Sequence, residues 1–211
     1  MIEGVNIFVS GRTGTGKSHL VKRAIAEVPR LLVYLPKRED HGYRGVHFDG
    51  MIDGDRRLML EWWRHCEQHG RRFRLVYRPR DAWDFTEFDE ICGLIYACGD
   101  VHFVCEEVSA YVTPSIFKRT DYALRFKTLI QAGRTRGITT WLLNQRPTGI
   151  PVELKSEARL AYLFHSNEPA DVEYIANKFG VAAAEKLAAL GEHEYVHWTE
   201  TGEVTTGKAS A

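Results

Sequence analysis

The 211-residue sequence predicts an α/β fold: a mostly parallel sheet with helices on both faces and a small β-hairpin at the C-terminus. Three observations lead there. Short apolar runs rich in β-branched and aromatic residues recur along the chain, as buried strands require. Segments with apolar residues at helical spacing separate them. A glycine-rich stretch, residues 11–18, joins the first apolar run to the first helical segment. No repeat, low-complexity segment or linker interrupts the pattern, so residues 1–211 read as one domain.

The elements follow in order. Residues 4–9 are a buried strand, and residues 17–27 a helix stopped by Pro29. Residues 31–35 are a second strand, ended by Pro36. A polar loop, 36–54, holds one short strand at Val46–Phe48. Residues 55–68 form a helix on which Leu58, Trp62 and Cys66 recur at four-residue spacing. Residues 72–77 alternate as a strand closed by Pro79. Residues 84–98 place Phe85, Phe88, Cys92 and Ile95 on one helical stripe, and Gly99-Asp100 turns the chain. The apolar run Val101–Cys105 is a strand ending in Glu106-Glu107. Residues 109–120 read as a loop around Pro114. A helix over 121–132 points Tyr122, Phe126 and Leu129 inward, and Ile138–Leu143 is the next strand. A short helix, a strand at 159–164 and helices near 169–179 and 181–190 follow. The closing hairpin turns at Thr201-Gly202 between Tyr195–Trp198 and Val204–Thr206.

Composition bounds the partners. Basic and acidic residues number 28 each, so the chain is not a polyanion-coating protein by net charge. Any nucleic-acid contact must come from a local patch or from several subunits facing a channel. No apolar run reaches the roughly 18 residues of a membrane span. Cys66, Cys92, Cys98 and Cys105 form no CxxC pair and read as reduced thiols of a cytosolic protein. Trp62, Trp63 and the histidines at 41, 47, 65 and 69 read as core and surface residues. His65 and His69 are four apart on one helix, but no third ligand accompanies them, and a zinc site is rejected.

The chemistry concentrates in three places. The first is Gly11-Arg12-Thr13-Gly14-Thr15-Gly16-Lys17-Ser18, a GxxxxGKS pattern between a strand and a helix. Glycines let the backbone wrap phosphate oxygens with its amides inward, and the helix N-terminus adds partial positive charge. Lys17 supplies a mobile ammonium for the β- and γ-phosphates, and the Ser18 hydroxyl a ligand for Mg2+. Gly11, Thr13, Gly14, Thr15, Gly16, Lys17, Ser18 and His19 are the expected contacts to ATP. The second place is Glu106-Glu107 at the end of an apolar strand. There the first acid holds Mg2+ and the second polarises the attacking water, or the two are simply solvated acids at a strand end. The third is Gly133-Arg134-Thr135-Arg136-Gly137-Ile138, followed by a strand and then Asn144-Gln145-Arg146-Pro147. Gln145 at that strand tip either senses the γ-phosphate or caps a loop. Arg134 either reaches a neighbouring subunit's nucleotide or pairs with surface acids.

Taken in this order, the three motifs resemble the FtsK/HerA superfamily of hexameric DNA-pumping ATPases, over roughly residues 4–165. Gln131–Pro151 is the most telling stretch. The resemblance implies a RecA-like P-loop NTPase core, a homo-oligomeric ring, ATP as substrate with Mg2+, and double-stranded DNA in a central channel. It implies that Lys17 and Ser18 hold phosphate and metal, Glu106 the metal and Glu107 the water. Gln145 takes the place of the family's polar sensor and Arg134 that of its trans-acting arginine. One departure stands out: the first of the paired acids is more commonly aspartate in the family, and here it is Glu106. The length is similar to that of the genome-packaging ATPases of membrane-containing, double-jelly-roll viruses such as the tectivirus-like phages. That branch implies a capsid vertex as partner, and a location in the host cytoplasm or with the virion.

Arg78 and Arg80, in the arginine-rich stretch 71–80, either contact DNA or belong to an ordinary edge or helix-packed strand, and Lys118 and Arg119 after the paired acids are further candidates for DNA contact. Two other functions compete with a DNA motor. A small kinase leaves Glu106-Glu107 and Gln145-Arg146-Pro147 without a role. A nucleotide-switch assembly protein does not need Glu107.

Overall fold

The computed structural model describes residues 3–36, 42–118 and 124–209. The chain runs β1 (Asn6–Ser10), α1 (Lys17–Ala24), β2 (Arg30–Tyr34), β3 (Val46–Asp49), α2 (Asp55–Gln68), β4 (Phe73–Arg78), α3 (Phe85–Cys98) and β5 (His102–Cys105). It continues through α4 (Pro114–Lys118), α5 (Leu124–Ala132), β6 (Thr139–Asn144), α6 (Val152–Ser156), β7 (Leu160–Phe164), α7 (Pro169–Phe179), α8 (Val181–Ala188), β8 (Glu194–Thr199) and β9 (Val204–Lys208).

Among the described residues, nine strands join one sheet in the order β3-β4-β2-β5-β6-β1-β7-β8-β9. Every pairing from β3 to β7 is parallel, and β8 and β9 close the far edge as an antiparallel hairpin. Alternation along each strand sorts the two faces, since successive side chains point to opposite sides. Phe8, Leu32, Tyr34, Leu75, Tyr77, Phe103 and Cys105 pack with α2, α3, α5, α7 and α8. Ile7, Val9, Leu31, Val33, Val76, Val104, Trp141 and Leu143 pack with Leu20 and Val21 of α1. Phe117 of α4 and Leu154 of α6 join the first cluster, so among the described residues helices cover both faces, with the glycine-loop helix on the second.

Buried polar groups tie the layers where the backbone would otherwise be left unsatisfied. Asn6 on β1 donates to the Ile130 carbonyl at 2.7 Å and accepts from the Thr140 hydroxyl at 2.7 Å. Asp84 caps α3 by accepting from the amides of Thr86 and Glu87. The helix α1 ends at Ala24, three residues earlier than its composition suggests. Arg74 closes that end, donating to the carbonyls of Ile25 and Val28 at 2.9 and 2.8 Å. One arginine of the basic stretch is thereby committed to the fold.

Two sequence expectations are corrected. The inward stripe of α2 is Met59, Trp63 and Cys66, whereas Leu58 is half exposed and Trp62 only partly covered. The stripe is rotated by one residue because the helix follows an i, i+4, i+7 pattern, and Trp63 packs on Phe73 of β4. The stretch 109–120 is not all loop: Pro114, with its φ already set and no N–H to lose, begins α4. Tyr122 lies outside the described residues, while Phe126 and Leu129 of α5 are fully buried. All four cysteines are free thiols.

The α2 phase is directly testable. Met59→Ala is expected to cost about 2–5 kcal/mol of unfolding free energy, and Leu58→Ala less than about 0.5 kcal/mol. Chemical denaturation of the two variants measures both.

Candidate functional site

Parallel strands bring their C-terminal ends to one sheet edge, where open α/β sheets bind ligands. β6 lies between β1 and β5, so the glycine-rich loop, the paired acids and the Asn144-Gln145 tip share that edge. Ser10 is in register with Asn144, and the Gly11 amide donates to the Asn144 carbonyl at 3.3 Å.

The loop from Gly11 to Gly16 leads into α1 without any side-chain cap on the helix. Its first-turn amides are left for a ligand, which favours an anion. Gly16 takes φ 104°, a region open to glycine. At Gly11 the requirement is space, since a Cβ would lie 2.4 Å from the Cβ of Phe164 on β7. The Lys17 ammonium folds back on the loop, donating to the carbonyls of Gly11 and Arg12. Thr15 donates to the Arg12 carbonyl at 2.8 Å, while Thr13, Gly14 and His19 are exposed. The C-terminal hairpin walls the loop from behind: a Cβ on Gly16 would meet Ala209 at 3.1 Å and His193 at 3.7 Å.

Ser18 and Glu106 meet across the edge, the hydroxyl donating to Oε1 at 2.8 Å. A hydroxyl and a carboxylate are hard oxygen donors of the kind Mg2+ takes, so this pair fits that cation. Tyr43 also donates to Glu106 Oε1, at 2.6 Å. Burial, with the Glu106 carboxylate beside it, pushes the Tyr43 phenol well above its ordinary range, so it stays a neutral donor.

Glu107 has φ 56° and ψ 63°, a left-handed conformation that costs a non-glycine residue about 1–2 kcal/mol. Strain of that kind is characteristic of functional positions. Its Oε1 accepts from the Ser109 hydroxyl at 2.8 Å. The Ser109 amide donates to Asn144 Oδ1 at 3.2 Å, and Asn144 Nδ2 donates to the Arg146 carbonyl at 2.6 Å. A hydrogen-bonded path thus joins the second acid to the β6 tip. Gln145 itself is half buried beside that path.

Beyond the tip, Asp171 at the start of α7 is 1 % exposed and accepts from Arg146, Thr148 and Ser166. Lys155 donates to the Pro147 carbonyl at 2.6 Å with its ammonium over the Tyr174 ring. The loop after β6 is therefore held on both sides.

The remaining candidates lie elsewhere. Arg134 precedes β6, at the opposite end of the strands, and pairs with Glu3 at 3.0 Å. Arg136, on the same edge, donates to the carbonyls of Tyr96 and Ala97. Arg78 ends β4 and the exposed Arg80 follows it, at the same end of the strands as the glycine-rich loop and separated from β5 by β2. Lys118 is exposed at the end of α4, and Arg119 lies outside the described residues. Among the described residues, no helix is long and apolar enough to cross a membrane.

Sequence reasoning missed Tyr43, Ser109, Asn144 and Asp171. Asn144 carried a signal, adjacent to Gln145 at a strand tip. Tyr43 sits in a polar loop with no motif around it.

No protein-family model and no curated protein matches the chain. Solved structures do. The DNA-packaging ATPase from Sulfolobus Turreted Icosahedral Virus superposes with a TM-score of 0.77 at 17% identity, covering 99% of this chain and 98% of that one. This is a P-loop ATPase fold. The genome packaging NTPase from Sulfolobus turreted icosahedral virus 2, in complex with ATP-gammaS, gives a TM-score of 0.73 at 14% identity, covering 99% and 98%. The N-terminal domain of zonular occludens toxin from Neisseria meningitidis gives 0.51 at 12% identity, covering 98% and 93%. At such identities the likeness establishes the P-loop fold, and function has to be argued from the site.

The buried cation behind the tip gives a pH test. Burial pushes the Lys155 ammonium down to about 8. Between that value and its unfolded value of about 10.4, the folded chain binds fewer protons at this group than the unfolded chain does. The contribution of Lys155 to stability therefore rises with pH across that window and is smallest below it. Other buried groups titrate in the same window in both proteins, so the difference in denaturation midpoint between wild type and Lys155→Met is the measure, and it is expected to move in favour of the wild type between pH 7 and 10.5.

Proposed function

We propose that the chain is an ATP-hydrolysing motor that translocates double-stranded DNA, of the genome-packaging kind, and acts as a homo-oligomeric ring. The observation that carries the reading is the meeting of Ser18 with Glu106, and of Glu107 with the β6 tip, at the uncapped end of α1. Support comes from the near-complete mutual coverage with a viral DNA-packaging ATPase. The whole chain then works as a single ATPase domain, in the host cytoplasm or with the virion, with a capsid vertex as partner.

The residues divide the work. The amides of residues 11–18 cradle the phosphates of ATP, and Lys17 leaves its loop carbonyls to reach the β- and γ-oxygens. Ser18 and Glu106 would hold Mg2+, which neutralises charge on those phosphates when bound. Glu107 accepts a proton from water as the water oxygen bonds to the γ-phosphorus. The bond from that phosphorus to the β-phosphate bridging oxygen breaks, leaving ADP and phosphate. Gln145 orients the same water or senses the γ-phosphate from the β6 tip. Arg134, on the opposite edge from its own loop, serves a neighbouring subunit's nucleotide in the ring. Arg78, Arg80, Lys118 and Arg119 are the proposed DNA contacts, reading backbone phosphate rather than sequence.

Hydrolysis by the purified chain, with and without long double-stranded DNA over a salt series, tests the reading. DNA is expected to stimulate turnover, with the stimulation falling as salt rises. Glu107→Gln is expected to bind ATP and to lose at least about 10²-fold in turnover. Lys17→Ala is expected to weaken binding itself, and Arg134→Ala to lower turnover only in the assembled state. ATP binding without any DNA effect in a verified ring would favour a nucleotide switch instead.

A further inference from the structure

We propose that Tyr43 is a positioning residue for Glu106: its phenol fixes one carboxylate oxygen and so presents the other to the divalent cation of the ATP complex. This rests on the reading of Glu106 as a metal-holding acid.

The argument begins with side-chain length. A glutamate has one more rotatable bond than an aspartate, so its carboxylate needs an external hold to keep one orientation. Two donors meet Glu106, and both use Oε1: Ser18 at 2.8 Å and Tyr43 at 2.6 Å. Oε2 has no hydrogen-bond partner among the described residues. A serine hydroxyl that turns a lone pair toward a cation is no longer bound to spend its hydrogen on Glu106, and the phenol then remains as the hold on Oε1.

Tyr43 is itself held. Its ring is 3 % exposed within the α1-side core, and the Lys22 ammonium lies 5.2 Å from the ring centroid. The hydroxyl is thus delivered from the segment before β3, far in sequence from the glycine-rich loop and the paired acids. It supplies to the longer Glu106 the restraint that a shorter aspartate has by its length. A hydrogen bond to a charged acceptor is the stronger kind, so its loss registers in cation affinity.

The test is binding of a non-hydrolysable ATP analogue to the full chain, by calorimetry over a Mg2+ series, for wild type, Tyr43→Phe, Glu106→Asp and the double variant. In Tyr43→Phe the Mg2+-free affinity is expected to stay within about twofold while half-saturating Mg2+ rises about tenfold. In the Glu106→Asp background Tyr43→Phe is expected to shift half-saturation by less than about twofold, because the shorter carboxylate falls short of the phenol. Equal weakening with and without Mg2+, an unchanged Mg2+ dependence, or an equally large effect in the aspartate background would overturn the proposal. Should Tyr43→Phe not fold at the assay temperature, the 13Cζ resonance of Tyr43 in labelled wild-type chain decides. It moves when Mg2+ joins the bound analogue if the phenol holds the ligand, and stays in place if the proposal is wrong. If analogue binding by the wild type has no Mg2+ linkage at all, the ATPase reading falls and the inference with it. If the linkage is present but Tyr43→Phe leaves it intact, only the inference falls.

Discussion

β6 pairs with β1 on one side and β5 on the other, in parallel register through Thr140 with both Asn6 and Phe103. That pairing is what lets three segments distant in sequence end at one edge. A slip of one residue would turn Trp141 to the wrong face and would carry Asn144 away from Ser10. The register is fixed by burial on both faces and by the Asn6–Thr140 hydrogen bond at its base. From it follow the Gly11–Asn144 contact, the Ser109–Asn144 bridge and the approach of Ser18 to Glu106.

The edge is costly to build, and the cost is met locally. Glu107 sits in a left-handed conformation, held by its own Ser109. The loop after β6 carries Pro147, which donates no hydrogen bond, and an otherwise exposed Arg146. The buried Asp171 and Lys155 anchor it through charge-assisted hydrogen bonds. Removing a donor from the buried Asp171 carboxylate is expensive, because its charge is left less compensated. The loop that follows Gln145 is thus tied back by side chains of α6 and α7. Flexible geometry enters elsewhere, at Lys17, whose ammonium now rests on its own loop.

Much of this was legible in the sequence because it follows from short-range pattern. The strand-loop-helix at residues 4–24, the acids after an apolar strand and the hairpin at Thr201-Gly202 all announce themselves by periodicity and turn chemistry. In the structure the Ser18 hydroxyl donates to Glu106 across the sheet edge. What stayed hidden depends on long-range placement. Leu58 and Met59 are adjacent and both apolar, so composition does not fix the phase of α2; packing of Trp63 on Phe73 does. Tyr43 lies in a polar segment and joins the site through packing with the α1-side core and its bond to Glu106. Arg74 read as part of a basic surface stretch, but its position under the end of α1 makes it a helix cap. The order of strands, and hence which tips become neighbours, is not written in any one segment.

The central claim is that this edge holds a triphosphate with Glu107 placed against the attacking water. A crystal structure of the chain with Mg2+ and a non-hydrolysable ATP analogue tests it most directly. The account predicts the phosphates under the amides of residues 11–18, the cation between Ser18 and Glu106, and a water within hydrogen-bond reach of Glu107 and in line with the γ-phosphorus. A nucleotide bound elsewhere, or a Glu107 carboxylate turned away from the γ-phosphate with the analogue in place, would contradict it.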